Sequence, residues 1–421
     1  MKIKELHLQN FRGFEDLTIK FPKDNVAVFI GENGAGKSSV LDAIGNLFYA
    51  FTVQMNLNKE IFAGGFFLGQ NDIQISKNSS TTEIHIDNDG ENYDWKFVLT
   101  KGRGFRGDEL PSNLFAKNLI NRLDYINLDH IPIVLFSRSK SLKTSSFKEE
   151  QNFTQLASYD DFIQERVYDF QSFTTWFNEE LNYENTIKVE QNTNYISPKL
   201  HIIRLAIELF LSKISVANFK NLRIKRERIG DFGNFIISLV ISKNGKELLI
   251  EQLSSGEKSV LLLIFDIAKR LILANPNNAN PLNGNGVVLI DEIDLHLHPQ
   301  WQRDIVPALT VTFPNIQFIV TTHSPQVLSK VKRENIFILN DGKLVEENPY
   351  TYGRDVASIL YEVFGVEARP KEIQKRLNEC FRLLENEEFD KAIQIIKELT
   401  TVLGENDTDL MRAKLELELN V

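Results

Sequence analysis

The sequence predicts an α/β fold: a mixed sheet with flanking helices and a phosphate-binding loop, joined to an antiparallel β subdomain. Three observations predict it. Val26–Ile30 is a continuous apolar run, as a strand buried on both faces requires, and a Gly-rich turn and a helical pattern follow it directly. Residues 287–290 form a second such run, ending in Asp291-Glu292. Strands at 287–291 and 317–321 alternate with helices that begin near Pro299 and Pro325, the order of a sheet built from parallel units.

The remaining elements fit around this core. Residues 2–8 and 16–21 alternate apolar and polar side chains as strands do. A helix is expected from Lys37 to about Ala50. Residues 83–99 read as two strands joined at Asp89-Gly90. The stretch 102–215 is mostly helical, broken by a short buried strand at 131–136. Residues 218–229 and 233–250 read as antiparallel strands, with Asn244-Gly245 a hairpin turn. A helix follows from about Gly256 to Asn275, and then a loop rich in Asn, Pro and Gly at 275–286. The organisation expected is a head over 1–365, interrupted by a mainly helical insertion at about 102–215, and a charged helical segment over 366–421.

Composition narrows the class. The chain has 421 residues and a net charge of −9, which argues against a generally basic nucleic-acid coat. A single cysteine, Cys380, rules out an intrachain disulfide framework and fits a reducing cytoplasm. No leader is evident at the start. The longest apolar candidate for a membrane span, 260–267, is short and holds Asp266, so no membrane partner is expected.

Gly31-Glu32-Asn33-Gly34-Ala35-Gly36-Lys37-Ser38 matches the spacing GxxxxGK[ST] between a buried strand and a helix. Its glycines let backbone N–H groups face an anion with no Cβ in the way, and the helix N-terminus adds partial positive charge. Gly31, Asn33, Gly34, Ala35, Gly36, Lys37, Ser38 and the adjoining Ser39 are therefore the expected ATP contacts. Lys37 reaches toward the terminal phosphates and Ser38 toward Mg²⁺. Asp291, at the end of an apolar strand, is the second candidate ligand for Mg²⁺. Glu292 beside it is placed to polarise the attacking water.

Leu253-Ser254-Ser255-Gly256-Glu257 opens a helix about 35 residues before Asp291. Here the chain resembles the ABC ATPase superfamily, whose signature reads roughly LSGGE or LSGGQ. The resemblance implies an ABC-ATPase head in which Ser254, Ser255, Gly256 and Glu257 cap ATP bound by a second head, so that the protein works as a homodimer or higher homo-oligomer. Taken alone, a Ser and a Gly at a helix start form an anion site, and the plainer reading is an N-cap at Ser255. His323, in Thr321-Thr322-His323-Ser324-Pro325, matches the switch histidine of such heads, with Ser324 and Pro325 explained as helix start. Asp294-Leu295-His296-Leu297-His298-Pro299 matches their D-loop, and no metal ligand is assigned to its histidines.

The opening Leu8-Gln9-Asn10-Phe11-Arg12-Gly13-Phe14 resembles RecF, SMC-like and OLD-like heads rather than transporters. It makes Arg12 a candidate ATP contact, with a surface arginine in a turn as the alternative. The absence of long heptads between Lys37 and Asp291 sets aside SMC-type coiled-coil arms. Residues 169–178, 291–301 and 352–360 look like the standalone bacterial ATPases of the Septu antiphage system and its retron relatives. That resemblance implies an ATPase controlling a separate HNH nuclease. It agrees with the lack of a visible His-Asn-His pattern and with too few residues after Phe364 for a Toprim nuclease. The alternative is a RecF-like repair ATPase acting on DNA. Two basic clusters are candidate DNA contacts or solvated edges: Lys220, Arg223, Lys225, Arg226 and Arg228, and Arg138, Lys140, Lys143 and Lys148. In the C-terminal helices, Ile373, Leu377, Phe381, Leu384, Phe389, Ala392, Ile395, Ile396 and Leu399 form apolar stripes. These stripes dock a partner, or they pack on the chain's own head or a second copy.

Overall fold

The structure, a computed structural model, describes all residues except 56–68, 103, 108, 127–129, 139–154, 161, 166–169, 192, 215–217, 230–233 and 421. The chain divides into two compact units, Met1–Gly353 and Arg354–Val421.

The first unit runs β1 (Lys2–Phe11), β2 (Phe14–Lys20), β3 (Val26–Ile30), α1 (Lys37–Met55), β4 (Ser79–Asn88), β5 (Glu91–Thr100), β6 (Gly104–Gly107), α2 (Glu109–Ile126), β7 (Ile133–Arg138) and β8 (Ile163–Glu165). It continues with α3 (Gln171–Glu190), α4 (Pro198–Ile214), β9 (Phe219–Ile229), β10 (Asn234–Lys243), β11 (Lys246–Leu249), α5 (Ser255–Ala274) and β12 (Gly286–Ile290). The last elements are α6 (Pro299–Thr312), β13 (Ile316–Thr321), the single turn α7 (Pro325–Leu328), β14 (Ile336–Asn340) and β15 (Lys343–Leu344).

A seven-stranded sheet, ordered β15-β14-β3-β13-β12-β7-β8, forms the core. Its neighbours pair in parallel from β14 to β8, and only β15 is antiparallel. Every residue of β3, β12 and β13 is buried, which is why β3 and β12 read as unbroken apolar runs, whereas β13 buries the polar Gln317 and Thr321 among its apolar residues. The short strand foreseen inside the mostly helical stretch is β7, and it lies beside β12. Glycine permits close packing here: a Cβ on Gly45 of α1 would lie 2.7 Å from the Phe136 ring of β7. α1 otherwise buries Val40, Leu41, Ile44, Leu47, Phe48 and Phe51.

A second sheet, β2-β1-β4-β5-β6, is fully antiparallel. It is tied to the core where the buried Gln317 amide accepts from Ile3 N–H at 2.7 Å and donates to Ile3 C=O at 3.0 Å. At the other end of β1, the β1–β2 turn packs against the loop after β3. A Cβ on Gly36 would meet the Phe14 ring at 2.4 Å, and one on Gly342 would meet Gly13 C=O at the same distance. The third sheet is the antiparallel meander β9-β10-β11, turned at Asn244-Gly245 as expected.

The second unit is α8 (Val356–Phe364), α9 (Lys371–Glu385), α10 (Phe389–Leu403) and α11 (Thr408–Asn420). The stripes read from the sequence close on each other. Leu377, Cys380, Leu384, Ala392, Ile395, Ile396 and Leu399 share one buried cluster with Leu410 and Ala413 of α11, and Ile373, Phe381 and Phe389 pack at its margin. The stripes are therefore the core of a small helical unit, packed on one another rather than on the first unit or a second copy. Arg369 bonds Asp407 and Asp409 and ties the start of α9 to that of α11.

Candidate nucleotide site

The site gathers at the C-terminal ends of β3, β12 and β13, adjacent parallel strands. β3 delivers the glycine loop. Gly31, Gly34 and Gly36 have φ of 148°, 86° and 100°, in the region that favours glycine. A Cβ on Gly31 would stand 2.2 Å from Leu339 C=O, so both conformation and space select glycine there. Lys37 is buried, and its Nζ donates to Gly31 C=O and Glu32 C=O, both at 2.9 Å. Burial pulls the Lys37 pKa down, against the charges of Asp291, Glu292 and Asp294, which raise it. The ammonium thus lies in the loop's concavity, facing carboxylates across the site.

Ser38 Oγ donates to Asp291 at 3.0 Å, across 253 residues of chain. Thr321 at the end of β13 connects the two acids of β12. Its hydroxyl donates to Asp291 Oδ1 at 2.7 Å and accepts from Glu292 N–H at 2.7 Å. Glu292 holds φ of 49°, an uncommon conformation for a non-glycine residue that is typical of functional sites. Asp294 accepts from the Thr322 hydroxyl at 2.5 Å and from His323 N–H at 3.4 Å, fixing the turn that presents His323. His323 is exposed, and its pKa is lowered, first by partial burial and then by the charge of Lys37. Lys37, Asp291, Glu292 and His323 therefore share one electrostatic environment.

A Ser hydroxyl and a carboxylate at hydrogen-bond distance form an all-oxygen donor set that suits Mg²⁺. Ser38 and Asp291 would hold it, and the magnesium would neutralise phosphate charge there.

Arg12, with φ of 50°, donates from Nη1 to Ser39 Oγ at 3.1 Å and to Asp42 at 2.7 Å, and from Nε to Asp72 at 2.6 Å. Burial works against its charge, but the bonds to Asp72 and Asp42 outweigh it and raise its pKa. Arg12 is thus anchored one residue from Ser38 rather than standing free in a turn. Arg138, at the end of β7, pairs with the other oxygen of Asp42 at 2.9 Å. That removes it from the basic cluster it was grouped with; Lys140, Lys143 and Lys148 of that cluster lie outside the described residues. In the other cluster Arg223 pairs with Glu247, Lys225 with Glu227, and Arg226 with Asn178 and Asn182.

At the head of α5 the N-cap is Ser254, not Ser255. Ser254 accepts from Glu257 N–H, and the Glu257 carboxylate accepts from Ser254 N–H at 3.0 Å, a complete capping box. Lys243 pairs with Glu257 at 2.6 Å. Burial raises the Glu257 pKa, but Lys243 and Ser254 outweigh it and hold the carboxyl below its usual range. Ser255 begins the helix, and Gly256 is buried where a Cβ would stand 2.4 Å from His296 C=O. The signature turn therefore rests on the D-loop of its own chain. His298 accepts from Gln300 N–H and caps α6.

Thr321, Asp294, Asp42 and Asp72 received no role from the sequence. Each is ordinary in its local context and matters only through partners far away in the chain.

A family model described as "AAA domain, putative AbiEii toxin, Type IV TA system" matches residues 26–329, which hold the glycine loop, both acids, the signature turn and His323. The chain belongs to this ATPase family. It is an ABC-type P-loop ATPase, with the head topology read above and the site at the strand ends. The "Retron Ec83 probable ATPase" of Escherichia coli is 29% identical over all of this chain and 87% of its own length. The "Septu protein PtuA" of Bacillus thuringiensis is 23% identical over 86% of this chain and 81% of its own. Among solved structures, an Smc head bound to the C-winged helix domain of ScpA aligns with a TM-score of 0.46, at 17% identity over 82% of this chain and 97% of that one. Among the described residues no helix is long and apolar enough to cross a membrane.

Proposed function

We propose that this chain binds and hydrolyses ATP, pairs with a second copy across the nucleotide, and controls a partner nuclease of the HNH type in bacterial antiphage defence. The observation that carries the ATPase reading is the hydrogen-bonded line Ser38–Asp291–Thr321–Glu292 beside the glycine loop, which supports Ser38 and Asp291 as metal ligands and Glu292 as the water-polarising acid. Backbone N–H groups of Gly34 to Lys37 and the α1 N-terminus receive the phosphates. Lys37 exchanges its two carbonyl partners for phosphate oxygens. Glu292 accepts a proton from the attacking water or orients it, and His323 faces the terminal phosphate. Arg12, held by Asp42 and Asp72, adds a cation beside Ser39.

Pairing of heads is supported by the ABC character of the chain. Ser255 and Gly256 lie at the start of α5, packed on the D-loop, where they offer a phosphate-accepting helix start to a second copy. The defence role and the nuclease partner are supported by the resemblance to the Septu and retron ATPases named above. A RecF-like role on DNA has less support, because Arg223, Lys225 and Arg226 are engaged within the chain.

Glu292→Gln tests the reading. The variant should bind ATP like the parent, lose turnover, and accumulate as a pair of twice the protomer mass by light scattering. A variant shown to bind ATP whose mass does not change with ATP would overturn the pairing. Co-purification of the chain from its native host with an HNH protein tests the partner; recovery without one would overturn that part.

A further inference from the structure

α11 is apolar on two faces. Leu410 and Ala413 are buried in the helical core and Leu417 packs at its margin. On another face Met411, Leu415 and Leu419 are 52%, 58% and 77% exposed. Their four-residue spacing makes them one continuous stripe. A helix with apolar residues on two faces is normally covered on both.

The flanking charges say what covers the second face. Arg412 and Glu416 border the stripe on one side, Lys414 and Glu418 on the other. On both sides the cation comes first along the chain and the anion one turn later. A parallel copy of the helix would bring cation to cation and anion to anion. An antiparallel copy, centred on Leu415, sets Lys414 against Glu418 of its mate; on the other flank the Arg412 guanidinium already lies over the Phe381 ring, 5.2 Å from its centroid. The pattern is self-complementary about a two-fold axis in that one orientation.

We infer that α11 is a homotypic docking surface, on which the Met411–Leu415–Leu419 stripe of one copy packs antiparallel against the same stripe of a second copy. The contact is small, so it is weak and concentration-dependent. It does not rest on ATP-bridged pairing of heads, and it offers the protein a second, nucleotide-independent mode of self-association.

The test uses the full chain, free of nucleotide and carrying Lys37→Ala so that head pairing through ATP contributes nothing. Sedimentation velocity over about 1–100 µM should show the average mass rising toward two protomers. Leu415→Glu, and the milder Leu415→Ser, should hold it near one. Lys414→Glu and Glu418→Lys should each shift association at least about tenfold to higher concentration, since each sets like charges opposite one another. An equimolar mixture of these two variants should recover the parent's association, because acid then faces base again. Circular dichroism melts equal to the parent's show that these substitutions leave the fold intact. One protomer at every concentration for the parent would overturn the inference. So would charge variants that associate like the parent, or a mixture of folded variants that stays at one protomer.

Discussion

Two of the N–H donors of Lys37 rest on carbonyls of its own loop, and in the proposed function phosphate oxygens would replace these acceptors. Lys37→Ala should therefore abolish binding of a fluorescent ATP analogue and leave the melting temperature nearly unchanged, since the released carbonyls are hydrated where the loop opens. Thr321 is a different case, wholly buried and bonded on both sides. Thr321→Val leaves Glu292 N–H without its acceptor, which should destabilise the head by roughly 1–3 kcal/mol. It should also lower kcat on the order of 10–100-fold, as loss of a group supporting metal ligands does, with ATP affinity changed less. Thr321→Ser keeps the hydroxyl and should recover most of both in calorimetry and a phosphate-release assay. The glycine loop could be read from the sequence because its partners are its own neighbours. Thr321 could not, because its meaning lies in Asp291, thirty residues away and on another strand. Arg138 shows the same limit: its charge was plain, but the carboxylate facing it belongs to α1.

Among the elements, α5 has a start that carries a structural burden beside the role proposed for it in pairing. Its capping box is closed by Glu257, which Lys243 also holds. Glu257→Gln should cost about 0.5–2 kcal/mol at pH 7. The carboxyl is held below its usual value of 4.5, so its contribution is complete above that pH. It is lost as pH falls through the lowered value, because the unfolded chain then binds the proton more readily. The gap in melting temperature between parent and variant should therefore be full at pH 7 and shrink below about pH 4.5. At the element scale the sequence was readable where a local rule decides. Asp89-Gly90 and Asn244-Gly245 turn hairpins because both residues of each pair adopt positive φ. The cap itself was misplaced by one residue, since two adjacent serines look alike until one of them faces Glu257 N–H. The place of β7 was hidden for a further reason: an apolar run announces a strand but does not name its neighbours.

For the whole molecule, the two units make separate claims. The helices of Arg354–Val421 bury their stripes in a core of their own, so a chain ending at Gly353 should stay soluble and bind ATP with parental affinity in a fluorescence titration. If it precipitates, the second unit is needed to cover the first. The order of the central sheet has one more consequence, and it concerns synthesis. β3, which carries the phosphate loop, is flanked by β13 and β14, and these leave the ribosome roughly 300 residues after it. At about 5–20 residues per second that is roughly 15–60 s during which an apolar strand has neither neighbour. The nascent chain must hold Val26–Ile30 unpaired for that interval, in reach of chaperones and of other nascent copies. Stalled chains ending before residue 316 should accordingly be cut by protease near the glycine loop, whereas chains released after residue 345 should resist.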